Sequence, residues 1–278
     1  MKQINSKIGF SETPLPKPNR IILRGISMKT NHICTIFCML LIFFLSSCAA
    51  SKDDIMLKDK AESLRKLGEA YMAENKTAPA FRKLKEAEKI DPDDPYTQFD
   101  LGIFYFNKKK YDLAIKRYQR CMELKPDFAS VRNNIGLAYL QKGEYDKAIE
   151  NFKELTDNYV YATPHYPLAN LGQAYYYKND FHLAEKYLKE ALDLEPRFVV
   201  AIHWLGRTQL ALGKTSEAIQ NLEKAIQMNA SVPEIYFDLG KAYQAMGLKT
   251  KSKNAFQRVV ELDPEGGLAA QAKNIMNR

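Results

Sequence analysis

The chain has 278 residues, of which 46% are hydrophobic and 27% charged, with 13 glycines and 12 prolines. These proportions are typical of a folded protein and exclude a disordered or collagen-like chain. The formal net charge of +8 is concentrated at the N-terminus, where residues 1–47 contain six Lys and Arg but one Glu. The rest of the chain holds 35 basic and 32 acidic residues. This near balance lacks the basic stripe that nucleic-acid binding needs.

Residues 28–47 have the features of a secretory signal peptide. Lys29 supplies the basic start, an uncharged apolar run covers residues 33–45, and small residues lead to Cys48. The run is shorter than the roughly 20 residues that a membrane-spanning helix needs. This length favours cleavage, with an uncleaved anchor as the alternative.

Residues 1–27 stand ahead of a signal that is already complete from Met28. We therefore predict that they are an upstream extension, produced by a start codon assigned too early, and that translation begins at Met28. Translation from Met1 stays the alternative.

The segment from Leu45 to Cys48 resembles the bacterial lipobox, in which a cysteine after small residues becomes the lipid-modified N-terminus. The resemblance implies that acyl chains on Cys48 hold the folded part at a bilayer, with residues 48–60 as a lipidated linker. Ala49 follows the cysteine where Asp would signal inner-membrane retention. The resemblance therefore implies an outer-membrane lipoprotein that faces the periplasm of a Gram-negative bacterium.

Cysteine usage fits export without a disulfide framework. Cys34 and Cys38 lie in the removed apolar run, and Cys48 would be lipidated, which leaves Cys121. One thiol forms no internal bridge. Cys121 replaces the small residue expected in its repeat, so we predict that it is buried as a packing residue.

From residue 61 onward the sequence repeats itself. A Leu-Gly or Ile-Gly pair recurs at intervals of 34, 34, 36, 34 and 34 residues, with the glycines at Gly68, Gly102, Gly136, Gly172, Gly206 and Gly240. A tyrosine stands three residues after five of these glycines, and Ala or Ser stands twelve residues after all six. This pattern resembles the tetratricopeptide repeat (TPR) family, whose repeats are pairs of antiparallel helices.

The resemblance implies an all-α fold, a right-handed superhelical solenoid of helix-turn-helix repeats. A glycine on the first helix and a small residue on the second let the two helices approach, and stacking then buries a core that no single repeat could bury. The predicted repeats are 61–94, 95–128, 129–164, 165–198, 199–232 and 233–266, followed by a capping helix over 267–278. The turn between the helices holds residues that tolerate a left-handed conformation at five of six positions, Asn75, Lys109, Gly143, Asn179, Gly213 and Gly247.

The irregular interval of 36 residues lies between the third and fourth repeats. Here the stretch from Val160 to Leu192 resembles the matching junction of type IV pilus biogenesis and stability lipoproteins, the PilF/PilW pilotin family. The matching residues are Tyr161, Pro164, Leu168, Asn170, Gly172, Asp180, Phe181, Ala184, Glu185, Lys186, Tyr187, Leu188, Ala191 and Leu192. The resemblance implies an outer-membrane lipoprotein that escorts a pilus secretin subunit to the membrane and supports its assembly into a ring.

No catalytic or cofactor-binding motif accompanies the repeats. His165, His182 and His203 lack the spacing of a metal site, and the chain has neither a Gly-x-Ser-x-Gly elbow nor a phosphate-binding glycine loop. We therefore predict no catalytic residue, metal, cofactor or small-molecule substrate. The expected partner is a protein.

The concave face of the predicted solenoid is the candidate binding surface, and it is read from first-helix positions that are offset from the packing residues. The predicted partner-binding residues are Tyr96, Phe99, Ile103, Phe106, Asn133, Leu137, Tyr166, Gln173, Tyr176, Tyr177, His203 and Phe237. Five of these aromatics are expected to form an exposed apolar strip, namely Tyr96, Phe99, Phe106, Tyr166 and Tyr176. The alternative for any one of them is packing against a neighbouring helix.

Two functions stay open on the sequence. One is a pilus assembly factor that resembles a secretin pilotin, and the other is a TPR adaptor that docks peptidoglycan enzymes or other cell-envelope machinery. Both need the same anchor and the same groove, so the residues do not separate them.

Overall fold

A computed structural model describes residues 52–156 and 162–277 of the chain. Within these ranges the chain forms thirteen helices and no strand. They are α1 (Lys52–Ala73), α2 (Thr77–Ile90), α3 (Pro95–Asn107), α4 (Tyr111–Leu124), α5 (Ala129–Lys142), α6 (Tyr145–Thr156), α7 (His165–Tyr177), α8 (Phe181–Leu194), α9 (Val199–Ala211), α10 (Thr215–Met228), α11 (Pro233–Ala245), α12 (Lys249–Leu262) and α13 (Gly267–Met276). The predicted all-α superhelix is confirmed. None of these helices is both long enough and apolar enough to span a membrane.

The predicted signal peptide, upstream extension and lipidated Cys48 lie outside the described residues. Residues 52–60 of the predicted linker form the exposed beginning of α1, which starts at Lys52. Asp53 and Asp54 occupy the first turn of α1, where carboxylates interact favourably with the helix dipole.

In each repeat, a large side chain of the second helix packs against the glycine of the first helix and fills the space between the two helices. The residues in this position are almost completely buried: Leu84, Tyr118, Phe152, Leu188, Leu222 and Phe256. A Cβ atom added at Gly136 would stand 2.5 Å from Cε1 of Phe152, closer than real Cβ contacts come. The repeating glycine is therefore required by the close approach of the ring to the helix backbone.

The turns between paired helices all contain one residue with a positive φ. Gly143, Gly213 and Gly247 adopt it as glycines, and Asn75 and Asn179 do so at φ 57° and 62°. Lys109 takes the same conformation at φ 56°, although a lysine pays a steric cost there. The turn geometry is thus set by the repeat and overrides the residue's own preference.

The last helix covers the C-terminal end of the core. At the C-terminus, α13 places Leu268, Ala272 and Ile275 against a cluster that contains Phe237 and Phe256.

In the second repeat, Cys121 is fully buried, which confirms its predicted packing role. Burial raises the pKa of its thiol to about 11.

Candidate partner-binding groove

The first helices of the repeats line the inner side of the superhelix. Neighbouring first helices contact each other directly, α5 with α7, α7 with α9 and α9 with α11. Because the inner side of a curved solenoid is where successive repeats come closest, this arrangement makes the first helices the concave face. The predicted binding residues all lie on these helices.

Two tyrosines at equivalent positions stand exposed on this face. Tyr96 on α3 is 41% exposed and its ring lies 5.6 Å from that of Phe128. Tyr166 on α7 is 48% exposed and lies 5.1 Å from Phe198. Nζ of Lys125 also donates a hydrogen bond of 2.7 Å to Oη of Tyr96. Each tyrosine therefore leans on the phenylalanine that precedes the next repeat and presents its outer face to solvent.

The prediction of an exposed apolar strip is wrong at three of its five positions, because Phe99, Phe106 and Tyr176 are only partly exposed. Phe99 packs 5.9 Å from Tyr118, a core residue of α4. The ring of Phe106 lies 5.5 Å from that of Tyr111, the first residue of α4. These rings bridge the first helix to the second helix of their own repeat, so folding gives them a core role.

Three other predicted binding residues are partly or fully buried against the core. Ile103 and Leu137 are partly buried and pack against the core clusters beneath them. Phe237 is buried, with its ring 5.5 Å from that of Phe256. Its predicted place on an exposed binding surface is wrong, because α13 and α12 enclose it.

The amides predicted for the middle of the groove are half-buried. Nδ2 of Asn170 donates a hydrogen bond of 2.9 Å to Oδ1 of Asn133, which joins α7 to α5. Gln173 is half-buried on α7. Asn133 therefore has a structural partner of its own.

The most developed part of the groove is an aromatic cluster at the junction of the fourth and fifth repeats. The ring of Trp204 lies 5.4 Å from Tyr176 and 5.5 Å from Tyr177. The guanidinium carbon of Arg207 lies 4.7 Å from the Trp204 ring and 5.0 Å from the Tyr176 ring. Nε of Arg207 donates a 3.3 Å hydrogen bond to Oη of Tyr176. The cation is thus held between two aromatic rings.

A buried carboxylate joins this cluster to the sixth repeat. Asp238 on α11 is 4% exposed, and its Oδ2 lies 2.9 Å from Nε2 of His203 and 3.9 Å from Nε of Arg207. Nζ of Lys241 lies 3.8 Å from Oδ1. His203, a predicted binding residue, is therefore fixed by an acid on the next inner helix.

A second buried carboxylate occupies the equivalent position in the second repeat. Oδ2 of Asp100 accepts a 3.1 Å hydrogen bond from Nη1 of Arg65, which also contacts Glu69. Burial, and after it the neighbouring Glu69, raise the pKa of Asp100 to about 8 against the opposing effect of Arg65.

Two cavities open on the groove between the fourth repeat and the C-terminal helix. The first has a volume of about 440 Å³, and its apolar lining consists of Tyr177, Val199, Val200, Trp204, Val232 and Ile235. The second has a volume of about 320 Å³ and is bordered by Lys241, Asp238 and Gln271. Arg207 and Glu234 border both cavities.

Trp204, Val200 and Arg207 are not among the predicted binding residues, although the helix phase that selects His203 also places Val200 and Arg207 on the concave face. Trp204 stands directly before the Leu205-Gly206 pair, at a position that is polar or charged in the other five repeats, so the repeat pattern does not predict an aromatic ring there. One signal is available in the sequence, because this is the chain's single tryptophan.

Comparison with known families settles what kind of repeat this is. Family models described as TPR repeat and tetratricopeptide repeat match residues 104–143, 206–247, 127–195 and 233–265. The chain is a tetratricopeptide repeat protein. The TPR fold is a protein-interaction scaffold, and nothing in the described residues shows catalysis. In these ranges no group of three or more His, Cys, Asp or Glu is placed to hold a metal ion.

Solved TPR structures share the fold over most of this chain. PilW, described as a widely conserved type IV pilus biogenesis factor, is 22% identical with a TM-score of 0.68, over 76% of this chain and 97% of PilW. PilF of Pseudomonas aeruginosa is 16% identical with a TM-score of 0.65, over 81% of this chain and 100% of PilF. A chain of the APC/C Cut9–Hcn1 hetero-tetramer is also 16% identical, with a TM-score of 0.70, over 81% of this chain and 45% of that one. At these identities the likeness concerns the fold alone.

Curated relatives match only through their repeats. The CTR9 homolog of Arabidopsis thaliana is 29% identical over 126 residues, which are 42% of this chain and 12% of that protein. DnaJ homolog subfamily C member 7 of Homo sapiens is 28% identical over 100 residues, which are 36% of this chain and 20% of that protein. This TPR chain therefore spans a fifth or less of the length of these relatives.

Proposed function

We propose that this TPR protein is a lipid-anchored scaffold that holds an extended segment of a partner protein in its concave groove, and that the partner is a type IV pilus secretin subunit. The observation that carries the proposal is the groove itself, where exposed aromatic rings adjoin an apolar cavity on the inner helices. Tyr166 and Tyr177 are 48% and 39% exposed, and Val200 is 48% exposed at the mouth of the cavity. Exposed apolar groups clustered on a concave surface are typical of sites that bind protein segments.

Two further facts favour a pilus partner. The junction before α7 contains Pro164 and Tyr161, which match the pilotin family, although Tyr161 lies outside the described residues. The solenoid also aligns with nearly the full length of PilW and of Pseudomonas aeruginosa PilF, the former described as a pilus biogenesis factor.

The proposed mechanism is passive. Acyl chains on Cys48 would hold the solenoid at the outer membrane, on its periplasmic side, and the groove would hold the secretin subunit there until the ring assembles. No group in the described structure needs to change its protonation or break a bond for this role. The contribution of the protein is to raise the local concentration of subunits at the membrane.

The test is the amount of assembled secretin in outer membranes of cells that lack this protein. Complementation with the parent chain should restore the assembled ring, whereas a Val200→Glu, Tyr177→Glu double variant should not. A Leu113→Glu variant is the matched control, because Leu113 is 44% exposed on α4, a second helix outside the groove. Unchanged secretin assembly, together with misplaced peptidoglycan enzymes, would contradict the pilus role in favour of an envelope adaptor.

A further inference from the structure

The apolar cavity and Arg207 adjoin each other and provide two kinds of contact. The cavity of about 440 Å³ is walled by valines, an isoleucine and the rings of Tyr177 and Trp204. Its mouth is open to the groove at Val200, which is 48% exposed. An apolar site of this size and lining accepts a branched aliphatic or aromatic side chain.

Arg207 is held in place beside this cavity before any partner binds. Its guanidinium lies against the rings of Trp204 and Tyr176, and its Nε donates to Oη of Tyr176. Among the described residues, no acceptor lies within hydrogen-bond distance of its two terminal nitrogens. A fixed guanidinium edge with open donors is suited to a carboxylate, which it binds through two parallel hydrogen bonds.

The charges around Arg207 point to the same ligand group. Arg207, Lys241 and the imidazole of His203 all face the single carboxylate of Asp238. The two full cations are 3.9 and 3.8 Å from it, beyond ordinary hydrogen-bond length. One buried acid thus leaves the two cations with open donors on the groove side.

Glu234 limits how many acids the site accepts. It is exposed on the first turn of α11 and lines both cavities, opposite the helix that carries Arg207. It repels carboxylates at both cavities, so an acid is favoured only where it pairs directly with Arg207. The groove also continues past Arg207 into the second cavity, so a bound chain has room to pass through it.

We propose that the apolar cavity and Arg207 form one bipartite site for an extended internal segment of a partner protein, in which an apolar side chain enters the cavity and a nearby acidic side chain pairs with Arg207. This inference rests on the proposed function, because it specifies the chemistry of the segment that the groove holds. It places the main contact with the partner in the fourth to sixth repeats, whereas the aromatic strip predicted from the sequence lies in the second to fourth.

The experiment uses the full chain, purified in detergent, as the target of a phage-display library of short random peptides. Peptides that bind the target are selected and sequenced. Peptides that support the inference contain an apolar residue and one Asp or Glu within a few positions of it. Since Trp204 is the chain's single tryptophan, a change in intrinsic tryptophan emission on adding a selected peptide reports that the cavity is occupied. Enrichment of peptides without this pattern, or no enrichment, overturns the inference.

Three variants then map the contacts by the affinity of a labelled selected peptide. Val200→Glu should weaken binding at least about tenfold, and Leu113→Glu should leave it unchanged. Arg207→Gln should weaken the acidic peptide about tenfold but have little effect on the same peptide with Asn or Gln in place of the acid. Melting curves of each variant check that it folds.

The outcomes separate this inference from the proposed function. Peptides that bind equally well to Val200→Glu and Arg207→Gln, or that bind only through a free C-terminal carboxylate, overturn the bipartite site and leave the secretin role to its own test. If the selected peptides bind as expected but secretin assembly in cells does not depend on this protein, the site is supported and the secretin is contradicted as its partner.

Discussion

Asp100 and Asp238 occupy the same position in the second and sixth repeats, and both carboxylates are buried on inner helices at 4% exposure. Their surroundings differ. Asp100 faces Glu69 as well as Arg65, whereas Asp238 faces His203 and Arg207. The same place in the repeat therefore holds an acid that resists ionisation in one case and an acid that anchors positive groups in the other.

The first prediction concerns the pH dependence of stability. Because folding raises the pKa of Asp100 to about 8 from its ordinary value of 3.8, its contribution to the free energy of unfolding is favourable at low pH and is lost as the pH rises from about 4 to about 8. Asp100→Asn should therefore lose less stability between pH 5 and pH 9 than the parent, by about 1 kcal/mol or more. Melting curves at both pH values measure this difference.

Asp238→Asn is the comparison for that experiment. It removes the carboxylate that His203 and Arg207 face and should lower stability by about 2 kcal/mol near neutral pH. Equal pH profiles for the parent and Asp100→Asn would show that Asp100 is ionised when folded.

A second prediction concerns the close approach of Phe152 to the backbone. Gly136→Ala places a Cβ 2.5 Å from the Phe152 ring, so the ring or the helix must shift, and we expect a loss of about 2 kcal/mol. Gly267→Ala is the control, since nothing lies within 4 Å of its added Cβ. The midpoints of denaturant unfolding give the comparison, and equal midpoints for the two variants would contradict the packing role of Gly136.

A third prediction uses the turns. Lys109 and Gly143 both have positive φ, but only glycine adopts this conformation without a steric cost. Lys109→Gly should raise the unfolding midpoint, and Gly143→Lys should lower stability by about 1 kcal/mol. A lower midpoint for Lys109→Gly would mean that the lysine side chain supplies a stabilising contact that outweighs its backbone cost.

A fourth prediction concerns Cys121. Burial of the thiol and its pKa of about 11 should make its alkylation at pH 8 at least about a hundredfold slower in the folded protein than in denaturant. A full chain with Ser at Cys34, Cys38 and Cys48 reports this thiol alone. Cys121→Ala should cost about 1 kcal/mol or less, because alanine is the usual residue at this place in a repeat. Rapid labelling of the native chain would contradict its burial.

A fifth prediction concerns the anchor. Cys48→Ala should release the protein from the outer-membrane fraction, because the acyl chains would be the only attachment. A Cys121→Ala variant should fractionate like the parent. A Cys48→Ala protein that still sediments with the outer membrane would show that something other than the lipid holds it.

The repeat architecture could be predicted because each element of the pattern has a local mechanical reason. Gly136 and Phe152 recur with the period, and so does the turn at Gly143. Helix phase also places Tyr96 and Tyr166 on the concave side of their helices, where both are exposed.

The finer parts of the site could not be predicted in this way. Phe99 and Tyr96 share one helix face, but whether a ring points outward or bridges to α4 depends on the space that Tyr118 and Phe128 leave. Trp204 and Arg207 stand three residues apart on α9. The cluster also needs the rings of Tyr176 and Tyr177 from the preceding repeat, and a pattern within one repeat does not contain these contacts.

The most direct measurement of the groove's function is photo-crosslinking in living cells. A photoreactive amino acid is placed either at Val200, at the mouth of the cavity, or at Leu113, which is similarly exposed outside the groove. Our account predicts a covalent adduct with a secretin subunit from position 200 and none from position 113. Equal adducts from both positions, or an adduct from 113 alone, would contradict the groove as the site where this protein holds its partner.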